Sequence, residues 1–180
     1  MSSREDGFLR NSIDGAVCVG IVMGSWSDWS TMKPAFDILT ELQVATEAGV
    51  ISAHRTPHLL GEYAARAQSS RFAAVIAGAG GAAHLPGMIA AYLPGAAVIG
   101  VPVKTSTLSG VDSLYSIIQM PPEVPVGAVA IGGGLNAGLL AAQIAAVGDP
   151  WLAQRLIDRR ALLAKMVEEN PDPRDDPRTK

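Results

Sequence analysis

The sequence predicts an α/β domain in three layers, with a central parallel sheet of five strands, helices on both faces and an extra C-terminal helix. Three observations predict it. Short runs that are apolar without alternation, such as AVCVGIVM at 16–23, suit strands buried on both faces. Segments with helical spacing of apolar residues follow these runs, and strands alternating with helices at that interval indicate a parallel, doubly wound sheet. The links are rich in Gly, Ser and Pro, which end one element and start the next.

Residues 1–15 are polar and lack the apolar stretch of an export signal, so a flexible tail and a cytoplasmic protein are expected. The first strand, 16–23, ends at Gly24-Ser25-Trp26-Ser27-Asp28-Trp29, and an amphipathic helix occupies 30–42. A second strand, 46–51, leads into Ser52-Ala53-His54-Arg55-Thr56-Pro57, where proline marks the first position of a helix running to Gln68. A strand at 72–77, a glycine-rich loop at 78–84, a short helix at 85–92 and a strand at 97–101 come next. After a loop at 102–110, Asp112 is expected to cap a helix ending at Gln119, since its carboxylate accepts from free N–H groups. The fifth strand is 126–131, and an alanine-rich helix spans 136–147.

Asp149 and Pro150 start the last helix, 150–169, in which Leu152, Leu156, Leu163, Met166 and Val167 recur at helical spacing. A five-stranded sheet has no evident need of it. It packs on its own domain or reaches onto a neighbouring subunit. Residues 16–170 thus form one domain, and the Pro- and charge-rich 171–180 form a second flexible tail.

Charged residues make up 17% of the chain, against roughly 25% in ordinary soluble domains, while 48% are apolar. So little charge leaves a monomer short of polar surface. The run 72–103 carries no Asp, Glu, Lys or Arg and exceeds the roughly 20 residues of a spanning helix, but its glycines and prolines break it into short elements. A soluble oligomer follows, with no membrane contact. A net charge of −3 and the absence of a basic run argue against nucleic acid. Cys18, the only cysteine, has no intrachain partner and is expected to pack in the core.

Ligands of open parallel sheets bind at the carboxyl edge, where the strand-to-helix loops lie. In the second such loop, His54 titrates near neutral pH and Arg55 carries a planar fork suited to phosphate or carboxylate. A solvated His-Arg pair is common, so the other loops matter. In the first, Gly24 lets a ligand come close, Ser25 and Ser27 donate hydrogen bonds, and the helix start behind them favours an anion. Asp28 either accepts from ribose hydroxyls or caps the helix. The third, Gly78 to His84, does not fit the dinucleotide pattern G-x-G-x-x-G with a following acid, but offers room and backbone N–H groups for a small planar ligand or a carboxylate. His84 either orients that ligand or bonds to backbone. His54 and His58 are four apart, yet Pro57 leaves His54 ahead of the helix and no Glu or Cys stands near, so no metal is predicted.

Taken together, Gly24-Ser25-x-Ser27-Asp28-Trp29, Ser52-Ala53-His54-Arg55-Thr56-Pro57, Ala77-Gly78-x-Gly80-x-Ala82-Ala83-His84-Leu85-Pro86-Gly87 and Asp112-Ser113-Leu114-x-Ser116-x-x-Gln119-Met120-Pro121 resemble the class I N5-carboxyaminoimidazole ribonucleotide mutases of de novo purine synthesis. The resemblance spans about 17–173. It implies a flavodoxin-like fold and a homo-octamer with active sites shared between subunits, the C-terminal helix lying on a neighbour. It also implies conversion of N5-carboxyaminoimidazole ribonucleotide to 4-carboxy-5-aminoimidazole ribonucleotide without ATP, metal or organic cofactor, and functional coupling to the synthetase that makes the substrate. By motif position, Ser25, Ser27, Asp28 and Arg55 hold the ribose phosphate, Ser52, Gly80, His84 and the adjoining Leu85 line the base and carboxylate, and His54 transfers the proton. A carbamate loses carbon dioxide once its nitrogen is protonated, and one histidine could serve both that step and removal of the proton from carbon 4. The small Gly/Ala loop at 78–83 suits a dry pocket.

Two rivals are less well matched. Class II carboxylases use free carbon dioxide, and the Arg-Thr-Pro after His54 and the His-Leu-Pro-Gly at 84–87 favour class I. A non-catalytic FMN carrier would need a Thr/Ser-rich phosphate loop that residues 24–28 lack. Two positions depart from the resemblance: the short link Gly132-Gly133-Gly134-Leu135 before Asn136, and Trp26 where a polar residue is expected.

Overall fold

A computed structural model describes residues 7–11, 13 and 18–172. Its strands are β1 (Leu9–Arg10), β2 (Val19–Met23), β3 (Thr46–Val50), β4 (Ala74–Gly80), β5 (Ala97–Val103) and β6 (Gly127–Ala128), forming one sheet in the order β1-β3-β2-β4-β5-β6. Neighbours are parallel except β1 and β3. The five parallel strands stand in the order second, first, third, fourth, fifth, which is the flavodoxin-like order.

The antiparallel β1 corrects the expectation of a tail over residues 1–15. A two-residue strand has no legible periodicity. Side chains hold it instead: Arg10 Nη2 donates to Glu47 Oε2 at 3.0 Å, Asn11 Nδ2 donates to the Val44 carbonyl at 2.7 Å, and Asn11 Oδ1 accepts from Thr46 N at 3.1 Å. Ala16 and Val17 of the expected first strand, and 173–180 of the expected tail, lie outside the described residues.

Helices α1 (Trp29–Glu41), α2 (Pro57–Ser69), α3 (Leu85–Tyr92), α4 (Val111–Ile118), α5 (Gly134–Ala145) and α6 (Pro150–Glu169) complete the layers. Because successive strand residues face opposite ways, the sheet feeds two cores. Val19, Ile21, Met23 and Ile76 pack with Met32 and Leu39 of α1, Ala137 and Ala141 of α5, and Leu152 of α6. Val22, Val75 and Ala77 pack with Leu60 of α2, Leu85 and Ile89 of α3, and Ile117 of α4. The uncharged run 72–103 is therefore β4, α3 and β5, and among the described residues no helix is long and apolar enough to cross a membrane. Cys18 is half-buried beside the first core, and burial pushes its thiol up.

Several boundaries differ from expectation, and β4 and β5 run on to Gly80 and Val103, into residues expected in loops. Gly110, at φ 94°, is the residue from which α4 starts, so Asp112 is no cap; it accepts from Thr105 Oγ1 at 2.8 Å and ties down the preceding loop. Strand β6 is shorter than 126–131, although Val129 N and Gly132 N still reach β5 carbonyls at 3.2 and 2.9 Å. Gly132, at φ 74°, then turns the chain directly into α5, which is how the short link closes.

Helix α6 begins as predicted: Asp149 Oδ1 accepts from Trp151 N and Leu152 N at 3.0 and 3.1 Å, with Pro150 in the first turn. Leu152 is buried, Arg155 Nε donates to the Leu42 carbonyl at 2.9 Å, and Arg159 pairs with Glu41. The helix thus packs on its own domain at first. Farther along, Leu162, Leu163 and Val167 are exposed.

Candidate active site

The loops after β2, β3 and β4 meet where the strand order reverses between β2 and β4, and enclose a cavity of about 470 Å³. Ser25, Ser27, Asp28, Ser52, His54, Arg55, Gly80, His84 and Leu85 all line it, as do Gly24, Ala53, Ala79 and Ala82. Residues from three distant segments are brought together by the sheet, which sets its parallel strands' carboxyl ends along one edge.

The first loop is a tight turn of 3-10 helix, Trp26–Asp28, closed by a reciprocal cap. Ser25 Oγ accepts from Ser27 N at 3.4 Å, while Asp28 Oδ2 accepts from Ser25 N at 3.1 Å. Of the two roles open to Asp28, capping is the one seen. Ser27 Oγ lies 2.9 Å from Ser25 Oγ, so both hydroxyls face one place. Burial raises the Asp28 carboxyl above its ordinary value, against hydrogen bonds from Ser25, Ser27 and Gly24 and the nearby Arg55 cation, which lower it. Trp26 is 77% exposed and is not part of the cavity lining.

The second loop folds on itself through Thr56. Its hydroxyl accepts from Ser52 N and donates to the Ser52 carbonyl, both at 3.1 Å, ahead of the Pro57 helix start. Arg55 then links two loops: Nη2 donates to the Gly24 carbonyl at 2.7 Å, and Nε and the backbone N donate to Ser52 Oγ at 3.2 Å. Part of the fork expected for an anion is thus engaged with the protein.

The third loop leaves β4 at Gly81, whose φ of +66° favours glycine, and His84 N closes a turn onto the Ala82 carbonyl at 2.9 Å. The turn carries His84 to His54: Nδ1 of His84 lies 2.8 Å from Nε2 of His54, with ring centroids 4.9 Å apart and planes at 78°. His84 therefore meets a second imidazole, an alternative that sequence reasoning did not weigh. Such a bond needs one donor and one acceptor, so the rings share a proton between them.

Ser113, which stands in the fourth sequence motif with no role expected of it, touches this loop. Its buried hydroxyl accepts from Gly81 N at 2.9 Å and donates to the Val103 carbonyl at 2.7 Å. Its signal is a serine on the inner stripe of α4, four residues before the buried Ile117. The dry pocket is only half present: Ala79 and Ala83 are buried, whereas Gly80, Ala82 and both imidazoles are exposed. Among the described residues, no group of three or more His, Cys, Asp or Glu could hold a metal ion.

Fold and site define a flavodoxin-like α/β enzyme with a histidine pair at the switch point of its sheet. The chain belongs to the AIR carboxylase family, whose model matches residues 18–166. It is 58% identical over 160 residues to N5-carboxyaminoimidazole ribonucleotide mutase of Haemophilus influenzae, covering 87% of this chain and 96% of that protein. The mutase of Escherichia coli K12 is 56% identical over 160 residues (87% and 93% covered), and that of Bacillus subtilis 56% over 158 residues (86% and 96%). Among solved structures, Treponema denticola PurE aligns with a TM-score of 0.77 at 26% identity, covering 84% of this chain and 94% of that one.

Proposed function

We propose that this chain is an N5-carboxyaminoimidazole ribonucleotide mutase of purine biosynthesis, moving a carboxyl group from nitrogen to carbon 4 of the imidazole. The observation that carries the proposal is the His54–His84 pair, joined at 2.8 Å within the cavity that Ser25, Ser27 and Arg55 also line. Relatives 56–58% identical to it over 158–160 residues carry that name.

Ser25, Ser27 and Arg55 bind the phosphate, and Asp28 the ribose while it holds their loop in shape. Ser52, Gly80, His84 and Leu85 border the base and carboxylate. His54 in its charged form donates Nε2–H to His84, which leaves Nδ1–H for the substrate nitrogen. Protonation there breaks the C–N bond and releases carbon dioxide, whose carbon is attacked by carbon 4; Nδ1, now unprotonated, then takes the carbon-4 proton. One C–N bond is lost, one C–C bond is gained and the proton returns to His54. The reaction balances as an isomerisation.

Carbon dioxide must stay in the cavity meanwhile, and a single chain leaves both imidazoles exposed. Neighbouring subunits of a homo-octamer close it, which accords with the exposed Met88, Tyr92, Tyr115, Trp151, Ile157 and Val167. The same proposal places the enzyme in the cytoplasm, functionally coupled to the synthetase that supplies its substrate.

The test is His54→Asn, which keeps size and polarity but cannot titrate. Turnover of chemically prepared N5-carboxyaminoimidazole ribonucleotide is expected to fall by about 10⁴-fold or more, beyond the usual contribution of a single acid–base step. Product binding should stay within about tenfold of wild type, since the phosphate contacts are intact. Turnover within about tenfold of wild type removes His54 from the mechanism. Parallel incubation of the wild-type enzyme with aminoimidazole ribonucleotide and bicarbonate separates mutase from carboxylase.

A further inference from the structure

We infer that Ser113 is a positioning residue for the carboxyl transfer: its buried hydroxyl, held between the Gly81 amide and the Val103 carbonyl, sets the 81–84 loop so that His84 meets His54. The inference rests on the mutase reading above. The last registered pair between β4 and β5 is Gly80 with Val103. One residue later the chain turns away at Gly81, and that is where the hydroxyl takes hold, accepting from Gly81 N at 2.9 Å and donating to Val103 O at 2.7 Å. From this anchor the turn closed by His84 N on Ala82 O delivers the His84 ring, and Met88 N on the His84 carbonyl at 3.0 Å begins α3.

Sequence places the serine where it can act. Gly100 of β5 has no side chain, and a Cβ there would overlap Ile117 of α4, so the helix lies close on the strand. Ser113, four residues before Ile117, comes down beside the end of β5 and is 0% exposed. Thr105 Oγ1 donating to Asp112 at 2.8 Å and the left-handed Gly110 fix the register at which the helix begins. Few side chains satisfy this position. Alanine leaves an amide and a carbonyl without their bridge, while a larger residue must be fitted where no surface is open.

The His54–His84 bond of 2.8 Å is the feature most exposed to a shift of this loop. The phosphate-suited groups lie on the other two loops, so loss of the anchor should act on kcat rather than KM. A misplacement of about 1 Å from a change outside the chemistry can cost roughly 100-fold.

Kinetics, thermal melts and NMR titration of the imidazole rings test this in Ser113→Ala, in His84→Asn and in the double variant; the chain has only 3 histidines. Ser113→Ala should lower kcat by roughly 10- to 100-fold with KM within about threefold. In the His84→Asn background the same change should cost less than about twofold, because it acts through a ring already absent, whereas its effect on melting should persist. Because the two rings touch at 2.8 Å, the ring titrations of Ser113→Ala should differ from those of wild type. Ser113→Cys, which fills the site with a weaker hydrogen-bonding group, should lie between and stands in if the alanine variant does not fold. Equal losses of kcat in both backgrounds, or unchanged ring titrations in a folded variant, overturn the inference. If wild type shows no carboxyl transfer, the mutase reading fails, while the ring titrations still decide whether Ser113 positions His84.

Discussion

Replacing Arg55 by alanine removes two side-chain contacts of the structure and, on the proposed role, a third with the substrate phosphate. That proposed charge-assisted contact is of about 1.5–3 kcal/mol, which converts to roughly a 10- to 150-fold rise in KM. The bond from Nη2 to the Gly24 carbonyl, at 2.7 Å, ties the first loop to the second. The bond from Nε to Ser52 Oγ, at 3.2 Å, is partly redundant, since the Arg55 backbone N also donates to that oxygen. Both lie on an exposed side chain, so their combined loss should cost about 1 kcal/mol, or about 2–4 °C of melting temperature in a chain of this size. Because the freed loop carries His54, kcat should also fall, by less than about tenfold. Arg55→Lys keeps the charge but cannot span both Gly24 and Ser52. It should recover about half of the KM loss on a free-energy scale and little of the melting temperature. Initial rates over a range of substrate concentrations, with melts on the same preparations, measure all of this. A fall in kcat of several orders of magnitude at unchanged KM would refute the phosphate role, and a lysine variant that restored stability but not KM would refute the division of labour between the two ends of the guanidinium.

Glu47 is fully buried, with Arg10 at 3.0 Å and Arg66 at 2.5 Å, so Glu47→Gln should cost about 3 kcal/mol and lower melting by about 6–12 °C, while kcat of the folded enzyme holds; a loss under about 1 kcal/mol would contradict it. Asp28 has a raised folded pKa, so the native state holds its proton more tightly than the unfolded chain, and ionising it costs stability as pH climbs from about 3.8 through the folded value. Asp28→Asn should therefore gain stability relative to wild type between about pH 3 and pH 7 in denaturant melts, and a constant or shrinking difference would show that the buried charge carries no cost. Light scattering should give a particle several times the 18.7 kDa chain, and truncation from Asp149 onward should reduce its size or solubility; a stable, active monomer ends the octamer proposal.

What sequence by itself determined follows from local chemistry. Uninterrupted apolar runs specified which strands are buried on both faces, proline and aspartate marked the starts of α2 and α6, and the motifs around His54 and His84 identified the family and the residues of the cavity. Each of these signals is carried by residues near one another in the chain.

Only tertiary structure decided the rest, because the deciding partners are far apart in sequence. Leu9 and Arg10 are a strand because Ala48 and Glu47 lie opposite them. Asp112 is a local exception: it serves Thr105 instead of capping α4, since Gly110 can adopt the left-handed backbone that starts the helix earlier. His54 and His84 share a hydrogen bond across 30 residues, and Ser113 reaches Gly81 across 32. No local propensity records such distances; they exist only once the sheet has aligned its strand ends and the two cores have fixed the helices against it.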